Sequence, residues 1–239
     1  MKTWQYHPAR DLPLKYSERV VSLKREGGLG SSLLHRPAWA VLHFYMIACH
    51  RMQVVGREYL PDQGSFVLIA NHSSHLDALA LGSSLSAAKR DHACALAAQD
   101  TFFTSAARSA LSAFFLNALP LCRAHCGMHA LTLLRERLLD DGEALILFPE
   151  GTRTRNGRMG RFRQGIGALV AGTSVPVVPC WIEGAFKAWP PGQRCPNMGR
   201  IKVIIGPPLR FPQLANDHHG WSEVAAQLES AVSALIPSS

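Results

Sequence analysis

The distribution of apolar residues along the chain predicts buried strands that alternate with helices. Short continuous apolar runs, which are typical of strands buried on both faces, occupy residues 66–70, 93–98, 144–148, 175–182 and 201–205. Helical periodicity occurs over residues 31–51, 77–88, 101–116, 128–140 and 222–236. Alternation of this kind predicts an α/β fold with a mostly parallel central sheet flanked by helices.

The first 51 residues form a separate segment in this interpretation. Residues 1–30 are polar and basic and end in a glycine-rich stretch, which predicts an irregular or partly helical lead-in. Residues 31–51 are strongly apolar with arginines near both ends, a pattern that suits a helix lying in a membrane interface. A helix packed on the core fits the pattern equally well. The apolar stretch 37–49 is shorter than the roughly 20 residues that span a bilayer. We therefore expect a basic lead-in with an interfacial helix over 1–51 and one folded domain over 52–239.

The charge of the chain favours an anionic partner. Twenty-five Lys and Arg residues against 17 Asp and Glu residues give a net charge of +8, which draws a protein to acidic membrane surfaces or to nucleic acid. Nucleic-acid modules usually interleave stacking aromatics with a basic stripe. Here five arginines instead bunch around glycines and one glutamate between residues 150 and 163. This arrangement predicts a local anion site and argues against nucleic acid.

The cysteines favour a reduced, cytosolic-side protein. Six cysteines lie without regular spacing, and no charged-then-apolar signal segment opens the chain. One group, Cys122, His125, Cys126 and His129, has a spacing that would place four zinc ligands on one helix face. Because the outer pair would lie about 10 Å apart along a rigid helix, the four cannot all reach one ion. We predict no metal site.

The first set of candidate catalytic residues follows the run 66–70, where an α/β strand would end and such folds keep their sites. His72 and Asp77 would lie about 140° apart on a continuous helix, so they meet only if His72 is on a turn and Asp77 begins the helix. Asp77 would then orient the imidazole, and the other ring nitrogen would accept a proton from a hydroxyl. The alternative is that Ser74 and Asp77 form a helix capping box and His72 is a turn residue. His75 is a weaker candidate for the base.

The second set follows the run 144–148. This segment combines a hydroxyl, guanidinium groups and backbone amides freed by glycine, which are the groups that bind phosphate. Its residues are Glu150, Gly151, Thr152, Arg153 and Arg155. Glu150 beside Arg153 suggests an acid that fixes the arginine. A solvated loop without a ligand remains the alternative. The chain has no Gly-x-Ser-x-Gly elbow and no Gly-Lys-Ser/Thr phosphate loop, so neither a serine acyl-enzyme nor nucleotide chemistry is indicated.

Four ordered sequence blocks resemble those of the lysophospholipid acyltransferase family, also called the PlsC-like or 1-acylglycerol-3-phosphate O-acyltransferase family. The signature pair is Asn-His-Ser-Ser-His-Leu-Asp at 71–77 and Phe-Pro-Glu-Gly-Thr-Arg at 148–153. Asn-Ala-Leu-Pro-Leu-Cys-Arg at 117–123 resembles the block that brings an arginine to the acceptor phosphate, and Val-Pro-Val-Val-Pro-Cys at 175–180 resembles the apolar block near the acyl site. The similarity runs from about residue 53 to residue 208.

The resemblance implies roles for individual residues. His72 would be the general base, Asp77 its orienting partner, and the binders of the acceptor phosphate would be Arg123, Glu150, Gly151, Thr152 and Arg153. Two positions depart from the family pattern, because Cys122 replaces a common acid and Arg163 replaces a common lysine. These two departures concern the acceptor and leave the implied type of reaction unchanged. No metal or prosthetic group is implied.

The expected function is acyl transfer from acyl-CoA or acyl carrier protein to the hydroxyl of a lysophospholipid, most often 1-acylglycerol-3-phosphate, in phospholipid biosynthesis. The expected location is the cytoplasmic face of a membrane, as a peripheral or monotopic protein, with an anionic surface as a partner. The alternatives are a different lysolipid acceptor, a non-catalytic binder of anionic lipid and, as a weaker class, a nucleic-acid binder.

Overall fold

The computed structural model describes residues 29–98, 117–121, 128–140 and 142–237, together with positions 11, 13, 15, 22, 23, 25 and 114. The strands are β1 (Gln53–Val55), β2 (Phe66–Ala70), β3 (Ala93–Ala98), β4 (Leu119–Leu121), β5 (Ala144–Leu147), β6 (Val177–Glu183) and β7 (Lys202–Ile205). The helices are α1 (Leu29–His50), α2 (Asp77–Ser84), α3 (Ala87–Asp91), α4 (Met128–Asp140), α5 (Gly165–Val170), α6 (Ala185–Ala188) and α7 (His218–Ser233), with a 3₁₀ turn at Arg57–Tyr59.

The described strands form one sheet in the order β1-β7-β6-β2-β5-β3-β4. Every pairing is parallel except that of β6 with β7, which is antiparallel. The predicted mostly parallel α/β fold is therefore confirmed. β2 lies between β5 and β6, so the segments that follow β2 and β5 emerge side by side at the same edge.

The central strands are buried on both faces, which is why they read as continuous apolar runs. In β2, Phe66, Leu68 and Ala70 belong to a cluster on one side of the sheet, and Val67 and Ile69 belong to a cluster on the other. The first cluster includes residues of α1 and α2, and the second includes residues of α4, α5 and α7. The sheet is thus the middle layer of three and holds the site-bearing segments in fixed positions.

The predicted elements agree with the structure in type and differ mainly at their ends. The predicted helix over 77–88 is divided into α2 and α3 at Leu85, which is extended, and Ser86, whose side chain caps α3 by accepting from the Lys89 amide. The final helix begins four residues earlier than predicted, at His218, after the N-cap Asp217. The predicted helix over 101–116 lies outside the described residues, apart from position 114.

Helix α1 has one face on the core and one face exposed. Trp39, Met46 and His50 are buried, whereas Val41, Phe44 and Ile47 are 68%, 70% and 49% exposed. The buried face agrees with packing on the core, and the membrane-interface interpretation stays a prediction. Within the described residues, no helix combines the length and the apolar character needed to cross a bilayer.

Candidate active site

Two loops meet at the carboxyl ends of β2 and β5. We call residues 71–77 the histidine loop and residues 148–164 the arginine loop. The side chain of Asn71 fixes the start of the histidine loop on β6, because its Oδ1 accepts from the Ile182 amide at 2.7 Å and its Nδ2 donates to the Ile182 carbonyl at 3.1 Å. This edge of a parallel sheet is where ligands bind in α/β folds.

His72 and Asp77 are brought together as the spacing predicted. Nδ1 of His72 lies 2.9 Å from Oδ2 of Asp77, the first residue of α2. Because a carboxylate accepts hydrogen bonds, Nδ1 carries the proton and Nε2 presents its lone pair. Nε2 makes no hydrogen bond with any residue that the structure describes, and the His72 side chain is 14% exposed. The pair has the geometry of a base and the residue that orients it.

The position of the His72 ring is fixed by further contacts. The ring stacks on Phe148 of the arginine loop, with a centroid separation of 4.1 Å and an interplanar angle of 12°. Oδ2 of the fully buried Asp77 also accepts from the amides of Ser73 at 2.6 Å and Ser74 at 2.7 Å. Asp77 therefore holds both the imidazole and the backbone that carries it. One half of the alternative capping box is present, because the Asp77 carboxylate accepts from the Ser74 amide. The other half is not, because the Ser74 hydroxyl accepts from the Leu76 amide and not from that of Asp77.

Glu150 connects the two loops. Its Oε1 accepts from the backbone amide of His72 at 2.6 Å, and its Oε2 accepts from the amide of Gly160 at 2.8 Å. In the reverse direction, the His72 carbonyl accepts from the Thr154 amide at 2.9 Å. The histidine loop and the arginine loop are thus one hydrogen-bonded unit.

The contacts of Glu150 differ from those expected from the sequence. Both carboxylate oxygens accept backbone amides, so Glu150 positions the loops instead of fixing Arg153. The side chain is 6% exposed, and burial raises the pKa of Glu150 to about 6, against the lowering effect of the two amide bonds. A buried carboxylate whose oxygens are both occupied is poorly suited to contact a phosphate, because the charges repel.

The turn that carries the predicted phosphate ligands depends on glycine. Gly151 has φ +73°, a conformation that side chains rarely adopt, and its amide donates to the Phe148 carbonyl at 3.0 Å. A Cβ at Gly151 would lie 2.8 Å from Nε of Arg163, which itself donates to the Glu150 carbonyl at 3.2 Å. Thr152 is exposed and Arg153 is half-buried, so both side chains are presented at the loop surface.

Arg153 lies against the histidine loop. Its Nη1 is 2.9 Å from Nε2 of His75 and also contacts Nδ1 of that ring. The spacing of residues had not singled out this pair, because 78 positions separate the two side chains. In the sequence, His75 is the weaker candidate for the base, and no residue near it in the chain indicates a partner.

The remaining predicted site residues are placed only in part. Arg123, Cys122, His125 and Cys126 lie outside the described residues. The part of the 117–123 block that is described begins with Asn117, which has φ +46° and whose Oδ1 accepts from Arg25 at 2.7 Å. Residues 177–180 of the other apolar block are buried in β6. No group of three or more potential metal ligands occurs within the described part of the chain.

Comparison with known proteins identifies the family. The family model described as Acyltransferase matches residues 51–183, which is more than half of the chain and contains both loops. The chain belongs to the Acyltransferase family. The family resemblance drawn from the four sequence blocks is confirmed, since relatives within this family are named 1-acyl-sn-glycerol-3-phosphate acyltransferases.

Two relatives illustrate the extent of the similarity within the family. A chloroplastic 1-acyl-sn-glycerol-3-phosphate acyltransferase of Brassica napus is 31% identical over 177 residues, covering 72% of this chain and 48% of that protein. The 1-acyl-sn-glycerol-3-phosphate acyltransferase alpha of Ovis aries is 26% identical over 179 residues, covering 74% of this chain and 60% of that protein. The chain therefore spans about half the length of the Brassica relative.

A solved structure shares the fold. The 1-acyl-sn-glycerophosphate (LPA) acyltransferase PlsC of Thermotoga maritima superposes with a TM-score of 0.62 and 23% identity, covering 86% of this chain and 77% of that one. At this identity the similarity supports the PlsC-like fold and says nothing of substrates.

Proposed function

We propose that the protein is an O-acyltransferase that moves a fatty acyl group from a thioester to the free hydroxyl of a lysophospholipid, with 1-acylglycerol-3-phosphate as the acceptor. The observation that carries the proposal is the His72–Asp77 pair, in which Nδ1 is bound at 2.9 Å and Nε2 has no hydrogen-bond partner in the described part of the chain. The names of the relatives support the acceptor.

The reaction follows from the protonation state of His72. Nε2 takes the proton of the acceptor hydroxyl as its oxygen attacks the thioester carbonyl carbon. The negative charge of Asp77 stabilises the imidazolium that forms. When the tetrahedral intermediate collapses, the C–S bond breaks and the thiolate leaves with the proton that the imidazolium returns. The products are the ester and a free thiol, and the base is regenerated.

The donor is proposed to be acyl-CoA or acylated acyl carrier protein. A thioester is already activated toward an oxygen nucleophile, so the proposed reaction requires no metal or prosthetic group. An acyl-enzyme is also unnecessary, because the acceptor hydroxyl attacks the donor directly.

The acceptor phosphate is proposed to bind at the arginine loop. On the turn that Gly151 permits, Thr152 and Arg153 offer a hydroxyl and a guanidinium group beside the histidine loop, and a guanidinium matches phosphate geometry. Arg123 is proposed as a further ligand on the family resemblance. Glu150 contributes by holding the two loops together.

The protein is further proposed to act at an anionic membrane surface, on the cytoplasmic face, as a peripheral protein. The exposed stripe formed by Val41, Phe44 and Ile47 supports this, since its side chains suit insertion among lipid acyl chains. Arg51 lies exposed just beyond the end of α1 and offers a positive charge to anionic headgroups.

The catalytic proposal is tested with His72→Ala. Initial rates are measured for acyl-CoA and acyl carrier protein thioesters with a panel of lysolipid acceptors, read out by product mass. We expect the rate to fall roughly 10²- to 10⁴-fold, the usual contribution of a positioned base, while lysolipid binding persists. His219→Ala, at an exposed histidine on α7, is the matched control. An unchanged rate in His72→Ala refutes the mechanism, and binding without turnover in the parent protein supports the non-catalytic lipid binder.

The membrane proposal is tested by sedimentation with vesicles that contain phosphatidylglycerol. Replacing Val41, Phe44 and Ile47 by serine should release the protein from the vesicles. The control replaces Leu139 and Ile236 by serine, which are 52% and 46% exposed elsewhere on the surface. Equal release by both sets of substitutions would refute a specific role for α1.

A further inference from the structure

His75 is a titratable residue of the site that the proposed chemistry does not use. It is exposed, and its ring contacts both Arg153 and the Trp189 ring, whose centroid lies 5.0 Å from its own. The backbone is held as well, because the His75 amide donates to the Trp189 carbonyl at 3.2 Å and the Ser74 hydroxyl donates to the same oxygen at 2.9 Å. The ring is thus held next to the proposed phosphate site.

The contact with Arg153 determines the charge of His75 in this arrangement. A guanidinium group is always charged and only donates hydrogen bonds, so the ring nitrogen that receives its N–H is unprotonated. Partial loss of hydration of the ring first, and then the positive charge of Arg153, lower the pKa of His75. His72 lowers it further and Asp77 raises it, both from the same loop, while Trp189, which contacts the ring, is uncharged. Without an anion, His75 is therefore neutral near pH 7.

A phosphate monoester changes this balance. It carries close to two negative charges at neutral pH, because its second pKa is about 6. When such a group lies against Arg153, its negative charge offsets the positive charge that lowers the pKa of His75, and a protonated imidazole can donate a charge-assisted hydrogen bond to a phosphate oxygen. A phosphodiester carries only one negative charge, so it favours protonation of His75 less.

We propose that His75 is a second ligand for the acceptor phosphate, that it takes up a proton when a monoester binds, and that it makes the site prefer a phosphate monoester over a phosphodiester. The inference rests on the proposed function, since it concerns the acceptor of the same reaction. It assigns His75 to acceptor selection and leaves the role of base with His72.

The first test measures acceptor preference. Rates are compared for lysophosphatidate, a monoester, and lysophosphatidylglycerol, a diester, in the parent protein, in His75→Gln and in His75→Phe. Gln keeps an acceptor for Arg153 without a titratable group, and Phe keeps a ring against Trp189. In both variants the preference for the monoester, as a ratio of kcat/KM, should fall roughly 10- to 100-fold, the range expected for one charge-assisted hydrogen bond. The loss should appear in KM for the monoester, with His219→Gln as the matched control.

The pH dependence separates this role from a structural one. Because binding takes up a proton, KM for lysophosphatidate in the parent protein should rise with pH above neutrality, by up to tenfold per unit. The same plot for His75→Gln should be nearly flat, and the diester should show no such slope in either protein. Equal loss toward both acceptors, or a parental slope in His75→Gln, overturns the inference. A fall in kcat toward both acceptors would make His75 part of the acid–base chemistry instead.

A binding experiment makes the inference independent of turnover. A short-chain lysophosphatidate is titrated calorimetrically into His72→Ala at pH 7.5, in buffers that differ in ionisation enthalpy. We expect net proton uptake on binding, and almost none in the His72→Ala/His75→Gln protein. Proton uptake by a parent protein that never transfers acyl groups would retain the inference and refute the proposed function. Turnover without proton uptake would retain the proposed function and overturn the inference. Absence of binding at millimolar concentration would also overturn the inference.

Discussion

The substitution Asp77→Asn tests how the carboxylate supports His72. Oδ2 of Asp77 accepts three hydrogen bonds, from His72 Nδ1 and from the Ser73 and Ser74 amides. An asparagine must place its carbonyl oxygen there, because its NH₂ group would face three donors. The imidazole should therefore keep its proton on Nδ1, and only the charge of its partner is lost.

The expected magnitude follows from that geometry. A hydrogen bond to a charged group contributes about 1.5–3 kcal/mol, and one between neutral groups about 0.5–1.5 kcal/mol. The transition state, in which the imidazolium forms, should lose the difference of about 1–2 kcal/mol, a factor of roughly 5 to 30 in kcat/KM. Loss of the correct tautomer would instead cost about 10⁴-fold, as in serine protease triads.

The assay is the initial rate of acyl transfer to lysophosphatidate, with a thermal melt to confirm folding. Asp77→Ala, which removes the acceptor altogether, should be more impaired than Asp77→Asn. In a His72→Ala background, Asp77→Asn should have little further effect on the rate, because both residues act as one unit. A loss of 10³-fold or more in folded Asp77→Asn would mean that the amide has rotated. A loss below twofold would show that Asp77 does not support a base.

Three further substitutions test positioning, packing and acceptor binding. Because burial raises the pKa of Glu150 from 4.5 to about 6, its contribution to stability is full below pH about 4.5 and falls by on the order of 2 kcal/mol as the pH rises through about 6. Glu150→Gln should lack this decrease, which is measured as the free energy of unfolding by chemical denaturation at pH 4.5 and pH 7. If the parent and Glu150→Gln lose stability equally between these pH values, the decrease does not come from Glu150. A Cβ at Gly167 would lie 2.3 Å from Trp221 Cα, whereas one at Gly165 in the same helix meets nothing within 4 Å. Gly167→Ala should therefore destabilise the protein by about 3 kcal/mol, which lowers Tm by roughly 6–12 °C, whereas the Tm of Gly165→Ala should stay near the parent value. Equal Tm values for the two variants would show that α5 and α7 can move apart at little cost. Arg153→Lys keeps the charge but removes the planar fork, so KM for phosphate-bearing acceptors should rise about tenfold while KM for the thioester stays constant; a parental KM for lysophosphatidate would rule out the phosphate contact.

The fold was predictable where local pattern determines it. The runs 66–70 and 93–98 coincide with β2 and β3, because strands buried on both faces need uninterrupted apolar side chains. The short outer strands were missed for the opposite reason. β1 has three residues, and β4 contains Pro120, so neither carries a pattern that distinguishes a strand from a loop. Their pairing depends on distant segments.

The individual residues of the site were predictable, but the hydrogen bonds that join the histidine loop to the arginine loop were not. The spacing of His72 and Asp77 is local, and the turn between them is visible in the sequence. The bond from the His72 amide to Glu150 joins residues 78 positions apart and exists because β2 and β5 are neighbours in the sheet. The contact of Arg153 with His75 arises in the same way. Strand order, which the alternation of elements leaves open, therefore determines which side chains meet.

The bridge that Glu150 forms between the loops has a consequence for protein engineering. Its two carboxylate oxygens hold the amides of His72 in the histidine loop and Gly160 in the arginine loop. A chimera that exchanges only the arginine loop for that of another acyltransferase would alter the support of the His72 backbone along with the acceptor contacts. The two loops therefore form one interchangeable module, and the smallest transplant expected to transfer acceptor preference intact comprises both segments with the glutamate that joins them.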